Sequence, residues 1–229
     1  MKPLISVIIP VLNEQTTINA VLSYLRSLPY SHHIEIIVVD GDNDAGTLSV
    51  ILDERIIKIK SPKGRGIQMA VGATKARGDL LLFLHADTFL PVTAFADILT
   101  IRMDKTVAAS AFDLSINARG LIYRIIETAA TLRSRLTGIP YGDQAICVKR
   151  EWYERIGGFM PYPVMEDVDL VQRLRKNGGR VRFFSSKVRT SARRWQKEGA
   201  LVCTLRNWMI LGFFYLGVRP VVLKRYYDD

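Results

Sequence analysis

The sequence predicts an α/β protein with a mainly parallel central sheet flanked by helices on both faces. Apolar runs of strand length alternate with segments of helical periodicity, joined by short links, through the first half of the chain. Each run stops in a polar cluster instead of alternating polar and apolar along its length, as strands buried on both faces do. The 229 residues, 48% hydrophobic and 24% charged, suffice for a sizeable core and exclude a disordered chain.

"LISVII" opens as a strand and runs into Pro10. Ile18, Val21, Leu22, Leu25 and Leu28 then share one helical face, with Asn13 as the expected cap. "IEIIVV" is a second buried strand ending at Asp40 and Gly41, and a short amphipathic piece around "TLSVILDE" leads to the strand "IIKI". "GRGIQMAVGATKARG" reads as a helix with Gly64 and Gly66 at its start and Gly78 at its exit. The strand Leu80–Leu84 follows and breaks at His85 and Asp87. Beyond Pro91 a helix is expected over 92–103, a strand at "VAASAFDLSI", an amphipathic helix over 119–136, a strand at "DQAICV" and a short helix from Glu151. "EDVDLVQRLRKNGG" is a helix with acidic residues in its first turn and Asn177-Gly178 at its end, in accord with the helix dipole. The expected organisation is one domain over 1–199, a nucleotide-type half at 1–91 and an acceptor-type half at 92–199, followed by a C-terminal amphipathic helical segment at 200–229.

The net charge of +10 is unevenly placed. Residues 172–229 hold 14 Lys and Arg against 3 Asp and Glu, and the first 171 residues are close to neutral. Such a basic segment suits an anionic partner. In it, Trp208, Phe213, Phe214 and Tyr215 are flanked by Arg206, Arg219, Lys224 and Arg225, a composition suited to a lipid–water interface. Its longest uncharged, largely apolar run, Trp208 to Val218, is far short of the roughly 20 residues that span a bilayer. The other reading is a helix packed on the core or on a second subunit of a homo-oligomer. No nucleic-acid recognition motif accompanies the charge. Cys147 and Cys203 have no metal-type spacing and form no disulfide framework. The opening "MKPLISVIIPVLNE" reads as a strand and turn and not as a signal peptide, so a cytoplasmic active site is expected.

Four polar clusters follow the first four strands: "PVLNE", "DGDNDAGT", "KGRG" and "HADT". Each alone is a turn. At the carboxyl ends of successive parallel strands they would line one sheet edge, where ligands of open α/β sheets bind. Carboxylates and amides there could meet a base and ribose, and the basic loop with Lys63 and Arg65 a pyrophosphate.

With "GDQAICVKR" and "MEDVDLVQRL" added, the order and spacing of these clusters resemble a family 2 inverting glycosyltransferase of GT-A fold, over roughly residues 4–195. The resemblance implies a nucleotide-diphosphate sugar donor, UDP- or GDP-linked. It implies that Pro10, Asn13, Glu14, Asp40 and Arg65 border the nucleotide, with Asp40 near the base. It makes Asp87 the last carboxylate of an Asp-X-Asp-like element, binding Mg²⁺ or Mn²⁺ while the pyrophosphate supplies further ligands. His85 replaces the usual first aspartate and is expected to touch ribose or phosphate, a hydrogen-bonded turn role being the alternative. Asp42 adds a charge where similar proteins often carry Gly-Ser.

By the same resemblance Asp167 is the general base that takes the acceptor proton, with Glu166 as runner-up or as an orienting group. Dipole complementarity at the helix start is the other reading, and it suits Asp169. Asp143 and Gln144, in "YGDQA", are expected at the donor or acceptor sugar, with a turn role open for Asp143. Arg193, Arg194 and Trp195 match an Arg-Trp element of some larger relatives over a short stretch, and a guanidinium there could grip the pyrophosphate. With the basic C-terminal segment, a lipid or lipid-carrier acceptor and a position at the inner face of the cell membrane are expected. Two other readings stand beside this one. A sugar nucleotidyltransferase would carry a glycine-rich basic signature where this chain has "PVLNE"; a non-catalytic nucleotide-sugar-binding protein would have lost the metal site at His85.

Overall fold

A computed structural model describes residues 2–227, so the last two positions of the expected C-terminal segment lie outside the described residues. In chain order the elements are β1 (Ile5–Val11), α1 (Ile18–Ser27), β2 (Ile34–Asp40), α2 (Gly46–Ser49), β3 (Ile57–Lys60), α3 (Arg65–Lys75), β4 (Leu80–Phe83), β5 (Thr88–Phe89), α4 (Ala94–Thr100) and β6 (Val107–Asn117). They continue with α5 (Leu121–Thr137), β7 (Cys147–Lys149), α6 (Arg150–Arg155), α7 (Glu166–Lys176), β8 (Arg180–Ser191), α8 (Arg193–Glu198), α9 (Ala200–Tyr215) and α10 (Pro220–Leu223).

The strands form one sheet in the order β3-β2-β1-β4-β7-β6-β8-β5. β1 to β4 pair in parallel, as do β6 and β8, whereas β7 runs antiparallel to both β4 and β6. The continuous apolar runs are explained by two cores, one on each face. Ile5, Val7 and Ile9 of β1 point to the core that holds Ile18, Leu22 and Leu25 of α1 and Phe95 of α4. Ile8, with Ile37, Val39 and Leu81, points to the other, which holds Met69 of α3, Trp152 of α6, Val168 and Leu170 of α7, Ile210 of α9 and Leu223 of α10. With alternate side chains buried on opposite faces, no polar residue is needed between them.

Several local expectations are corrected. Asn13 does not cap α1: the helix starts at Ile18 after Thr17, and Asn13 sits in a left-handed turn at φ 58°. Gly78 is not a helix cap: α3 closes at Ala76, and Gly78 is needed because a Cβ would lie 2.7 Å from the Ser6 nitrogen. The strand expected at "DQAICV" is only Cys147–Lys149, because Gly142–Gln144 form a 3₁₀ turn and Ala145 is left-handed at φ 51°. The C-terminal segment is helical, but apolar side chains run round α9 instead of along one face: Cys203 and Ile210 are buried, and Leu201, Leu205 and Trp208 are exposed.

Candidate active site

Two cavities adjoin at the carboxyl edge of the sheet. The larger, about 400 Å³, runs past Pro10, Glu14, Lys63, Gly64 and Gln68. The smaller, about 230 Å³, is walled by Tyr141, Asp143, Asp167, Trp195, Cys203 and Asn207. Arg65, His85 and Asp87 line both, so they stand where the two meet.

The larger cavity is made by the ends of β1 and β4 and the start of α3. After Pro10 the chain turns through Asn13, and the Glu14 N–H donates to Thr47 Oγ1 at 3.1 Å, which fixes the loop. Gly64, at φ 145°, leads into Arg65, the first residue of α3. The N-terminus of this 11-residue helix lies at the wall beside Lys63, a setting that favours anions. Gln68, unnoticed in the sequence, donates to the carbonyls of Val11 at 2.7 Å and Val39 at 2.8 Å, and so clips β1 to β2 beneath the cavity.

Arg193 crosses this region from α8. It donates to Glu14 Oε1 at 2.9 Å and stands 3.7 Å from Asp87 Oδ2. Burial raises the Asp87 carboxyl, Arg193 draws it back, and Glu14 raises it further. A partly desolvated carboxylate with one loosely paired cation 3.7 Å away fits a divalent ion through oxygen. Among the described residues no three His, Cys, Asp or Glu side chains converge to hold a metal unaided. An ion there would take Asp87 from the protein and its remaining ligands from diphosphate and water. His85 is pushed down to about 3 by burial and by the Arg65 charge, so its imidazole is neutral, and its buried Nε2 has no hydrogen-bond partner among the described residues.

α7 supplies the carboxylates. Met165 precedes it in the left-handed region at φ 62°, a strain that a non-glycine residue carries only when its surroundings enforce it. Glu166 and Asp167 follow in the first turn and part company. Glu166 is fully buried and paired with Arg65; burial raises its carboxyl and the guanidinium opposes this. Asp167 faces the smaller cavity, with Oδ2 accepting the Gly142 N–H at 2.5 Å and Oδ1 accepting the Val168 N–H at 2.8 Å. Asp169 pairs with Arg173 at 2.6 Å and stays outside the site. Asp143 is pushed up to about 6, chiefly by burial, with Arg133 lowering it and Asp167 raising it.

Other expected residues stand elsewhere. The buried Asp40 carboxylate accepts backbone N–H groups of Asp42 (3.0 Å), Thr47 (3.1 Å) and Leu48 (3.3 Å), which closes the loop after β2, and it is in neither wall. Asn13 is in neither wall. Gln144, expected at the sugar, is buried and braces the interior: its side chain accepts from Ser134 Oγ at 2.6 Å and donates to the Phe112 carbonyl at 2.9 Å. Arg194 lines the smaller cavity but is engaged by Glu198 at 3.2 Å and by the Tyr227 carbonyl at 3.1 Å. Trp195 Nε1 is buried there without a hydrogen-bond partner among the described residues, as are Tyr141 Oη and Asn207 Oδ1, so the chamber offers polar atoms to a polar ligand. Tyr141, Cys203, Asn207 and Tyr227 were not foreseen; Asn207, a polar residue inside an apolar run, is the one readable signal.

Fold and cleft define an α/β protein with a two-chambered ligand site at the carboxyl edge of its sheet. The chain belongs to glycosyl transferase family 2, whose model matches residues 6–161. It is 24% identical, over an alignment of 233 positions that covers 86% of this chain, to a probable glycosyltransferase, YdaM, of Bacillus subtilis. It spans about half the length of the curated relatives it matches, 51% and 44%. Its fold is similar to that of the mannosyltransferase PcManGT of Pyrobaculum calidifontis, solved with GDP-Man and Mn²⁺, at 21% identity and TM-score 0.70, covering 100% of this chain and 66% of that one. It is also similar to S. aureus TarS with UDP-GlcNAc, at 19% identity and TM-score 0.63, covering 83% and 58%. The architecture is that of GT-A glycosyltransferases.

Proposed function

We propose that this chain transfers a sugar, with inversion, from a UDP- or GDP-linked donor to an acceptor hydroxyl or phosphate. The observation that carries the reading is the shared wall: Arg65, His85 and Asp87 separate a chamber at the phosphate-favouring start of α3 from one that holds Asp167. The family supports a sugar-transferring activity, and the ligands of PcManGT and TarS support a nucleotide-sugar donor.

The donor nucleotide occupies the larger chamber, with its diphosphate beside Lys63, the α3 N-terminus and Arg193. Its anomeric carbon lies at the shared wall. The acceptor enters the smaller chamber, where Asp167 takes its proton while the acceptor oxygen bonds to the anomeric carbon and the nucleoside diphosphate departs with the electron pair of the broken C–O bond. Two backbone N–H groups hold the Asp167 carboxylate in place for this. Mg²⁺ or Mn²⁺ at Asp87 would offset charge on the departing diphosphate. Glu166, sealed against Arg65, positions that arginine and takes no proton from the acceptor. We read the acceptor as lipid-borne, with the chain peripheral on a membrane face; the basic, apolar C-terminal segment supports this.

The test is calorimetric titration of UDP and GDP with and without Mn²⁺, joined to a mass-spectrometric screen of nucleotide-sugar hydrolysis. Metal-enhanced binding of one diphosphate and slow breakdown of a matching donor are expected. Metal-independent or absent binding would favour the non-catalytic reading. Pyrophosphate-forming exchange would favour a nucleotidyltransferase.

A further inference from the structure

α9 departs from the usual rule for a surface helix, which is apolar inward and polar outward. Its inner side reaches the core through Ile210 and the smaller cavity through Cys203 and Asn207. Its outer side should be charged. Instead Leu201, Val202, Leu205, Trp208, Met209 and Phe213 recur at helical spacing, from 41% to 64% exposed. α5, which touches α9, adds exposed Leu121, Ile125, Leu132 and Leu136.

Where α9 ends, a second feature adjoins this face. A groove of about 770 Å³ is lined by Arg175, Lys176 and Arg219 together with Phe214, Tyr215 and Tyr162. Among the described residues no carboxylate lies within ion-pair distance of those three cations. Three cations with no carboxylate partner among the described residues, one of them (Arg175) also donating to the Thr137 carbonyl, are edged by aromatic rings and complement an anionic headgroup, and the apolar stripe beside them complements its acyl region. Among the described residues no helix is long and apolar enough to cross a bilayer, so a docked α9 would lie in the interface.

We infer that the outer face of α9, with the Arg175–Lys176–Arg219 groove at its end, is a docking surface for an anionic membrane. This deepens the lipid-acceptor reading above and depends on it only for purpose. Because the inner side of α9 walls the acceptor chamber, docking the outer side holds that chamber one helix diameter from the lipid surface.

The test is flotation of the full chain, without substrate, on vesicles of phosphatidylglycerol and phosphatidylcholine against vesicles of phosphatidylcholine alone. Vesicle binding is read apart from nucleotide binding, so either reading can fail without the other. The wild-type protein should bind the anionic vesicles at least tenfold more tightly, less so as salt is raised. Leu205→Glu with Trp208→Glu should lower that binding tenfold or more, and Lys176→Glu with Arg219→Glu should abolish the preference for anionic lipid. Circular dichroism checks that the variants fold, and Leu205→Gln alone replaces the first pair should it not. Absent vesicle binding by the folded wild-type chain would overturn the inference, as would undiminished binding by folded variants. So would a dimer, seen by light scattering, that the apolar-face variants dissolve while vesicle binding is absent.

Discussion

Asp167 and Gly142, 25 positions apart, meet in a 2.5 Å hydrogen bond from the Gly142 N–H to Asp167 Oδ2. The bond ties the start of α7 to the 3₁₀ turn after α5, and so sets the carboxylate in the wall of the smaller cavity. Gly142 also fills the space between Asp167 and His85. A Cβ at Gly142 would stand 2.9 Å from His85 Nε2 and 3.2 Å from Asp167 Oδ2. The glycine is therefore a spacer between the shared wall and the proposed base.

Gly142→Ala should separate binding from transfer. The methyl group must displace His85, Asp167 or both, for a stability loss of about 1–2 kcal/mol. Nucleoside diphosphate affinity, measured by calorimetry, should change by less than about threefold, whereas turnover should fall by roughly tenfold or more as the carboxylate moves off line. Equal losses in both would mean that Gly142 serves folding alone.

The Arg65–Glu166 pair should be costly to break and less so to remove. Arg65→Met leaves the fully buried Glu166 uncompensated, and about 2–4 kcal/mol of stability should be lost; that is less than for a wholly buried pair, because Arg65 keeps 33% of its side chain exposed. With the guanidinium gone, burial alone holds the Glu166 carboxyl up, so the loss should grow as pH rises and the group is forced to ionise. Adding Glu166→Leu should recover part of it. Urea unfolding of the two single variants and the double variant gives the cycle; strictly additive losses would show that the side chains do not interact.

Asp143 gives a pH signature. Its carboxyl is raised from 3.8 to about 6, so between those values the folded state holds a proton that the unfolded chain has released. Wild-type stability should therefore fall as pH rises from about 4 to 6, whereas Asp143→Asn has no proton to lose. The two should be matched near pH 4 and diverge above it in favour of the variant, by roughly 1–2 kcal/mol after discounting for solvent screening. Thermal unfolding across pH 4–7 reads this, and a constant gap would place the Asp143 titration elsewhere.

The sequence told most where a residue's place is set locally. His85 and Asp87 follow a buried strand directly, so the strand end pointed to them as candidates; Asp167 stands out only through the family resemblance, and the fold brings all three to the wall of one cavity. It told least where a side chain's partner is remote. Gln144 looks like a ligand by type and neighbourhood, yet its side chain meets the Ser134 hydroxyl and the Phe112 carbonyl, 10 and 32 positions away, which only the folded chain brings near. Gly78 looks like a helix stop, but its constraint is the Ser6 backbone, 72 positions away. Ala145 and Met165 adopt left-handed conformations that their residue types disfavour, so tertiary packing and not local propensity sets them. The contribution of Asn207 and Tyr227 to the smaller cavity depends on how the C-terminal helices fold back, which no spacing encodes.

The central claim is that Asp87 and Asp167 serve opposite partners across one reaction centre. Side-by-side measurement of diphosphate affinity and sugar transfer in Asp87→Asn and Asp167→Asn tests it most directly. The account predicts that Asp87→Asn loses the Mn²⁺-dependent part of diphosphate binding. Asp167→Asn should keep donor affinity within about threefold while transfer drops roughly 10²–10⁴-fold. Undiminished transfer by Asp167→Asn, with donor affinity intact, would contradict it.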